Sequence, residues 1–343
     1  MKALVSTRPG GPETLVLGEL PEPVPAAGQL LVEVAACGVN YPDVLVIEDL
    51  YQYKPARPFA PGSEIAGTVI GVGANVADWQ LGDRLVATLP GSGGMAEKAC
   101  VSALSSHRLP GDGDLLSASA LLLTYATALH ALKDRAALRS GETVLVLGAA
   151  GGVGIAAVEV AKAMGARVIA AVSDDTKRRA VLSVGADEAI VYPVEVTSTE
   201  QVRALAADFK AAAGSHGIDV IVDPVGGDYA EAALRAIAWQ GRYLVIGFPA
   251  GIPRMPLNLV LIKACSVIGV FQGAFGDRQP EDNADNVRTL LAWWGEGLIQ
   301  PKIADVYPLE QGAAAIQHIR DRKAIGKVVV AIGDLARSRL ESR

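Results

Sequence analysis

The sequence predicts an α/β protein in which a doubly wound parallel sheet is inserted into a β-rich, partly barrel-like domain. Three observations carry this expectation. The chain has 343 residues, enough for two separate cores. Its first third is strand-and-turn material, and from about Leu115 short apolar strands alternate with helices. Parallel strands need a helical crossover, so that alternation means a parallel sheet covered on both faces.

In the first third, residues 30–34 and 65–70 read as strands, and Pro21, Pro23 and Pro25 make an extended connector. A helix is expected over 115–135, then an apolar strand over 143–147 and a helix over 152–164 that stops at Gly165, a favoured residue just past a helix end. Strands 167–172, 189–192, 219–222 and 242–246 alternate with helices 176–184, 198–213 and 229–236. A strand at 267–270 follows, and the apolar run 266–271 is expected at the outer end of the parallel sheet, where an exposed edge invites pairing with a second copy. Helices at 283–297 and 310–321 and a strand at 327–332 come next, the last elements returning to the first domain. The expected domains are 1–118 with 267–343, and 119–266 between them.

Bulk properties narrow the function classes. Net charge is −6 with scattered basic residues, which argues against a nucleic-acid or anionic-membrane partner. The tail arginines Arg337, Arg339 and Arg343 read as a solvated end. The uncharged stretch 115–132 carries Ser117, Ser119, Thr124, Tyr125, Thr127 and His130, which suits a buried helix better than a membrane span. The N-terminus runs straight into a strand pattern, so no signal peptide is expected. Cys37, Cys100 and Cys265 are odd in number and widely spaced, giving no disulfide framework and a reduced, cytoplasmic setting.

Gly148, Gly151, Gly152 and Gly154 lie directly between a predicted strand and a predicted helix, with Val153 among them. Glycines there allow a tight turn and a close backbone approach to a pyrophosphate, and the helix N-terminus offers free N–H groups. An NAD site usually carries an acid at the end of the second strand; here that place holds Ser173. Lys177, Arg178 and Arg179 open the next helix, where the helix dipole disfavours cations unless an anion such as a 2′-phosphate lies against them. In the other reading, Asp174 or Asp175 caps that helix and the cations are solvated.

Several segments together resemble the quinone oxidoreductase (zeta-crystallin-like) branch of the medium-chain dehydrogenase/reductase superfamily. They are 37–43 (CGVNYPD), 61–67 (PGSEIAG), 125–129 (YATAL), 148–154, 223–227 (DPVGG) and 326–329 (GKVV). The resemblance implies a Rossmann domain inserted into a GroES-like catalytic domain, NADPH as cofactor and a homodimer. Zinc-dependent relatives have a first zinc Cys where this chain has Asn40, and Gly-His-Glu where it has Gly62, Ser63 and Glu64. The four-cysteine structural lobe is missing, and the four histidines match no ligand spacing, so no metal is expected.

By the same resemblance, Asn40, Asp43, Tyr51 and Thr127 surround nicotinamide and substrate. Ser173, Lys177, Tyr192, Gly247 and Phe248 line the cofactor groove with the glycine loop, and Asn258 lies near it. Each has a structural alternative: Asn40 supporting a turn before Pro42, Asp43 as a hydrogen-bond acceptor, Tyr51 as a loop anchor, Thr127 bonding within its helix, Tyr192 in the core. The tyrosine that relatives carry five residues after the Asn is Leu45 here. The implied reaction is hydride transfer from NADPH to a quinone. The alternatives are reduction of an enone or enoyl thioester, and a non-catalytic NADPH-binding protein.

Overall fold

A computed structural model describes residues 1–336; Arg337, Arg339 and Arg343 lie outside the described residues. The chain opens with an antiparallel pair, β1 (Lys2–Val5) and β2 (Val16–Glu19). The long β3 (Gln29–Val39) runs into α1 (Tyr41–Ile47), followed by β4 (Glu64–Val72), β5 (Arg84–Thr88), β6 (Lys98–Ser102) and β7 (Ser106–Arg108). The single helix expected over 115–135 is broken into α2 (Leu115–Ala118) and α3 (Leu122–Leu129), with a π-helical turn over His130–Arg135. Asp114 caps α2, and the Ser119 hydroxyl donates back to the Leu116 carbonyl at 2.8 Å where that helix ends.

Six parallel strands then alternate with helices. They are β8 (Thr143–Val146), α4 (Gly152–Ala163), β9 (Arg167–Val172), α5 (Asp175–Ser183), β10 (Glu188–Val191), α6 (Thr199–Ala213), β11 (Ile218–Asp223), α7 (Tyr229–Ala236), β12 (Ile237–Val245), α8 (Leu257–Lys263) and β13 (Ser266–Gly269). Their order is β10-β9-β8-β11-β12-β13, so the winding reverses between β8 and β11. In open α/β sheets ligands bind outside the strand carboxyl ends at such a switch point. Helices α9 (Gln272–Arg278) and α10 (Pro280–Gly295) close this part; β14 (Ile303–Pro308), α11 (Gly312–Arg320) and β15 (Lys327–Ala331) follow.

The chain divides into two compact units, Thr124–Gln300 and the remainder, Met1–Leu123 with the segment from Pro301. The second boundary therefore falls later than the expected 266/267. Strand β13 pairs in parallel with Arg242–Val245 of β12, and in α10 Asn286 bonds Asp134 and Lys133, so both belong to the parallel-sheet unit. The other unit holds a seven-stranded sheet in the order β14-β15-β3-β4-β5-β7, with β6 also paired to β3. Its core packs Leu30, Val32, Ile65, Leu85 and Met95 against Val328 and Val330; the parallel-sheet core holds Leu145, Ile169, Phe209, Ile221 and Tyr243.

Candidate active site

The glycine loop joins β8 to α4 at the switch point. Gly148 has φ +56°, a conformation that favours glycine, and a Cβ on Gly154 would stand 2.3 Å from the Gly148 carbonyl oxygen. Gly151 is the N-cap of α4 and supplies no side-chain cap, so the twelve-residue helix from Gly152 and Val153 onward presents its first N–H groups to the loop. A narrow backbone cradle at an uncapped helix N-terminus fits a dinucleotide pyrophosphate.

At the end of β9, Ser173 is followed by Asp174, which is the N-cap of α5 and accepts from the Lys177 N–H at 2.8 Å. That bond first, and then the Lys177 charge, hold the Asp174 carboxyl below the usual carboxylate range against the opposing effect of desolvation. Lys177 Nζ donates to Ser173 Oγ at 2.8 Å and lies 3.5 Å from Asp174 Oδ2. Arg178 is exposed and 3.9 Å from Asp175, and Arg179 donates to Thr176. The structure thus joins Ser173 to Lys177 and leaves the two arginines on the solvated face.

Of the remaining expected groove residues, Tyr192 donates its N–H to the Val172 carbonyl beside Ser173, and Phe248 lies against Gly226. Tyr192 is buried in the core with its ring 4.7 Å from that of Tyr229. Gly247 and Phe248 follow β12, Phe248 half-exposed, and Asn258 is exposed on α8. Residues 223–227 now have a visible task. Asp223 accepts from Tyr243 Oη at 2.6 Å and from the Val225 and Gly226 N–H groups at 2.8 Å each. This holds Val225 where a Cβ on Gly148 would meet its Cγ2 at 2.5 Å.

In the other unit, Asn40 is the N-cap of α1, a short helix absent from the sequence expectation. Asp43 Oδ2 accepts from the Asn40 N–H at 2.7 Å. Burial pushes the Asp43 carboxyl up to about 7, against the opposing pull of the Asn40 N–H and the Lys327 charge. Its Oδ1 and the Ser63 hydroxyl are buried without a hydrogen-bond partner among the described residues. Tyr51 packs on the core, and burial, then the Asp43 charge, raises its phenol. Thr127 lies half-buried on α3.

Two site residues were missed by sequence reasoning, Glu64 and Lys327. Lys327 Nζ donates to Asn40 Oδ1 at 2.6 Å and to Glu64 Oε2 at 2.9 Å, while Asn40 Nδ2 donates to Glu64 Oε2 at 3.0 Å and to Gly38 O at 3.1 Å. All three side chains are buried. The signal was present: a charge heads each of two apolar strands, and a buried charge needs a partner. A Cβ on Gly38 would stand 2.2 Å from the Ser119 carbonyl oxygen and 2.8 Å from Glu64 Oε2, so glycine is required beside the cluster. Among the described residues no three His, Cys, Asp or Glu side chains gather as a metal site, and no helix is long and apolar enough to cross a membrane.

Residues 152–291 match the zinc-binding dehydrogenase family and residues 26–111 the alcohol dehydrogenase GroES-like domain. Quinone oxidoreductase-like protein 2 of Bos taurus is 36% identical over 93% of this chain and 89% of its own length. The structure of mycobacterial Rv1454c complexed with NADPH superposes with TM-score 0.87 at 29% identity, over 96% of this chain and all of that one. Escherichia coli quinone oxidoreductase complexed with NADPH gives TM-score 0.86 at 26% identity with the same coverage. The chain therefore belongs to the quinone oxidoreductase family of the medium-chain dehydrogenase/reductase superfamily, a family of oxidoreductases.

Proposed function

We propose that the protein is an NADPH-dependent reductase that delivers hydride to a quinone without zinc. The observation that carries the cofactor is the Ser173–Lys177 pair: a hydroxyl and an ammonium 2.8 Å apart at the end of β9, with Asp174 engaged as a helix cap. Those two groups suit a 2′-phosphate, and the glycine loop with the first turn of α4 would hold the pyrophosphate. The relatives named as quinone oxidoreductases, two of the compared structures having been solved with NADPH, support the same reading.

NADPH supplies the hydride when bound. The chain's own part is to orient and to stabilise charge. In one unit Tyr51 would donate to the carbonyl oxygen that becomes negative, Asn40 would line the substrate pocket, and Asp43, beside Asn40, has an elevated pKa; in the parallel-sheet unit Thr127 would bond the nicotinamide. Zinc independence is supported by Lys327, whose ammonium already bonds the Asn40 and Glu64 oxygens. We also assign a homodimer, because β13 ends the parallel sheet with no further strand paired to its outer edge among the described residues. A cytoplasmic setting accords with three free cysteines. Loss of absorbance at 340 nm with NADPH and 1,4-naphthoquinone tests the reaction; turnover only with an enone would move the protein to carbon–carbon double-bond reduction.

A further inference from the structure

Glu64 and Lys327 pose a physical question. Their side chains are 0% and 3% exposed, and an ion pair taken this far from water is rarely a net source of stability, since apolar side chains of similar volume often serve as well. The pair's surroundings indicate a different task. Antiparallel pairing of Val39 with Val328 sets the next residues, Asn40 and Lys327, side by side, and pairing of Cys37 with Ile65 sets Glu64 beside Gly38. One end of three adjacent strands therefore delivers a cation, an anion and a carboxamide to one buried point.

An ammonium offers only donors and a carboxylate only acceptors. With Lys327 on one side and Glu64 on the other, only one of the two amide orientations of Asn40 is satisfied. Oδ1 accepts from Lys327, and both Nδ2 hydrogens are taken, by Glu64 Oε2 and Gly38 O. The flipped amide would turn its NH2 group to the ammonium and its oxygen to the carboxylate. The backbone N–H of the same Asn40 is held by Asp43, so the clamp extends into the first turn of α1. Glu64 Oε1 is anchored separately, by the Leu123 N–H at 2.9 Å.

We propose that Lys327 and Glu64 are positioning residues of the active site, a two-ended clamp that fixes the carboxamide of Asn40. They act through Asn40 and do not touch substrate. The proposal rests on the reading of Asn40 as a pocket residue of an NADPH-dependent reductase.

The chain has five asparagines, so selective 15N labelling resolves the Asn40 amide from the exposed one of Asn258. In the unmutated protein the Asn40 Nδ2 hydrogens should exchange with solvent about tenfold or more slowly than those of Asn258, as bonds to charged partners require. Exchange as fast as at Asn258 overturns the clamp without any variant. The informative variant is E64Q/K327M, which removes both charges together and leaves no unpaired ion, whereas Lys327→Met alone strands a buried carboxylate. The carboxamide that replaces the Glu64 carboxylate can donate or accept, so only the Gly38 carbonyl still favours the original orientation of Asn40. The double variant should exchange its Asn40 hydrogens faster and lose about tenfold or more in kcat with 1,4-naphthoquinone, with KM for NADPH little changed. A folded double variant with parental exchange or parental kcat shows a purely structural pair. If the unmutated protein reduces no quinone, the substrate assignment fails, and the exchange rates still decide the clamp.

Discussion

Lys177 and Ser173 form one polar unit, ammonium to hydroxyl at 2.8 Å, bridging the first turn of α5 and the end of β9. A cation in the first turn of a helix opposes the helix dipole unless an anion shares the place. Asp174 supplies part of that compensation, and a 2′-phosphate would supply the rest. A charge-assisted bond of roughly 1.5–3 kcal/mol corresponds to a preference for NADPH over NADH of about ten- to a hundredfold. Lys177→Ala should erase most of it and leave NADH kinetics nearly unchanged. Equal use of both cofactors by the unmutated protein would show that an acid, Asp174 or Asp175, binds the ribose instead.

Tyr51 is half-buried and electrostatically coupled to Asp43. If its hydroxyl donates to the acceptor oxygen in the transition state, Tyr51→Phe should lower kcat/KM at or below the bottom of the range of about 2.7–4 kcal/mol for a lost central donor, since water partly substitutes in an open pocket. Leu45→Tyr, on α1, restores the second phenol of the family and should favour more polar acceptors. Parental kcat/KM for Tyr51→Phe on every active substrate would make the residue a packing element.

Asp43 gives a pH dependence of defined sign. Its carboxyl is pushed up to about 7 by burial, above its value in the unfolded chain, so between about 4 and 7 the folded state binds the extra proton. Stability contributed by that proton is complete at low pH and is lost as pH rises through this window, at up to about 1.4 kcal/mol per pH unit. Asp43→Asn should flatten the dependence, so that urea midpoints of variant and parent diverge from pH 4 to pH 8. Parallel midpoints across that range would contradict the burial of an ionisable Asp43.

The purified protein should carry less than one zinc per chain and keep its activity in a chelator. The Lys327 ammonium bonds the Glu64 carboxylate and the Asn40 oxygen, so those acceptors are already engaged. Elemental analysis finding one tightly held zinc would refute this.

The edge strand β13 exposes Val267, and Phe271 just beyond it is 57% exposed; Leu257, Leu261 and Ile262 of α8 are exposed as well. Edge-to-edge pairing with a second copy would cover this apolar surface. Light scattering should give twice the chain mass at micromolar concentration, and Val267→Lys with Phe271→Asp should give the monomer. A monomeric unmutated protein would end the dimer assignment.

Local pattern was enough for the parallel sheet. Strand–helix alternation, the stop at Gly165 and the glycines at 148–154 each act within a few residues, through crossover geometry, αL conformation and close backbone approach. The same local signals placed Ser173 and Lys177 near one another, because the end of a strand and the first turn of the next helix are neighbours in sequence. What lay beyond the sequence came from contacts between distant residues. The outer place of β13 in the parallel sheet was legible, but that the chain stays in this unit as far as Gln300 depends on contacts such as Asn286 with Asp134 and Lys133. Helix α1 depends on an N-cap, Asn40, that looked like part of a turn before Pro42. The meeting of Asn40, Glu64 and Lys327 spans 287 residues from Asn40 to Lys327, and it arises from the registers of β3 with β4 and β15. Sequence alone showed two charges heading apolar strands; their partners were set by strand register, which only the folded sheet determines.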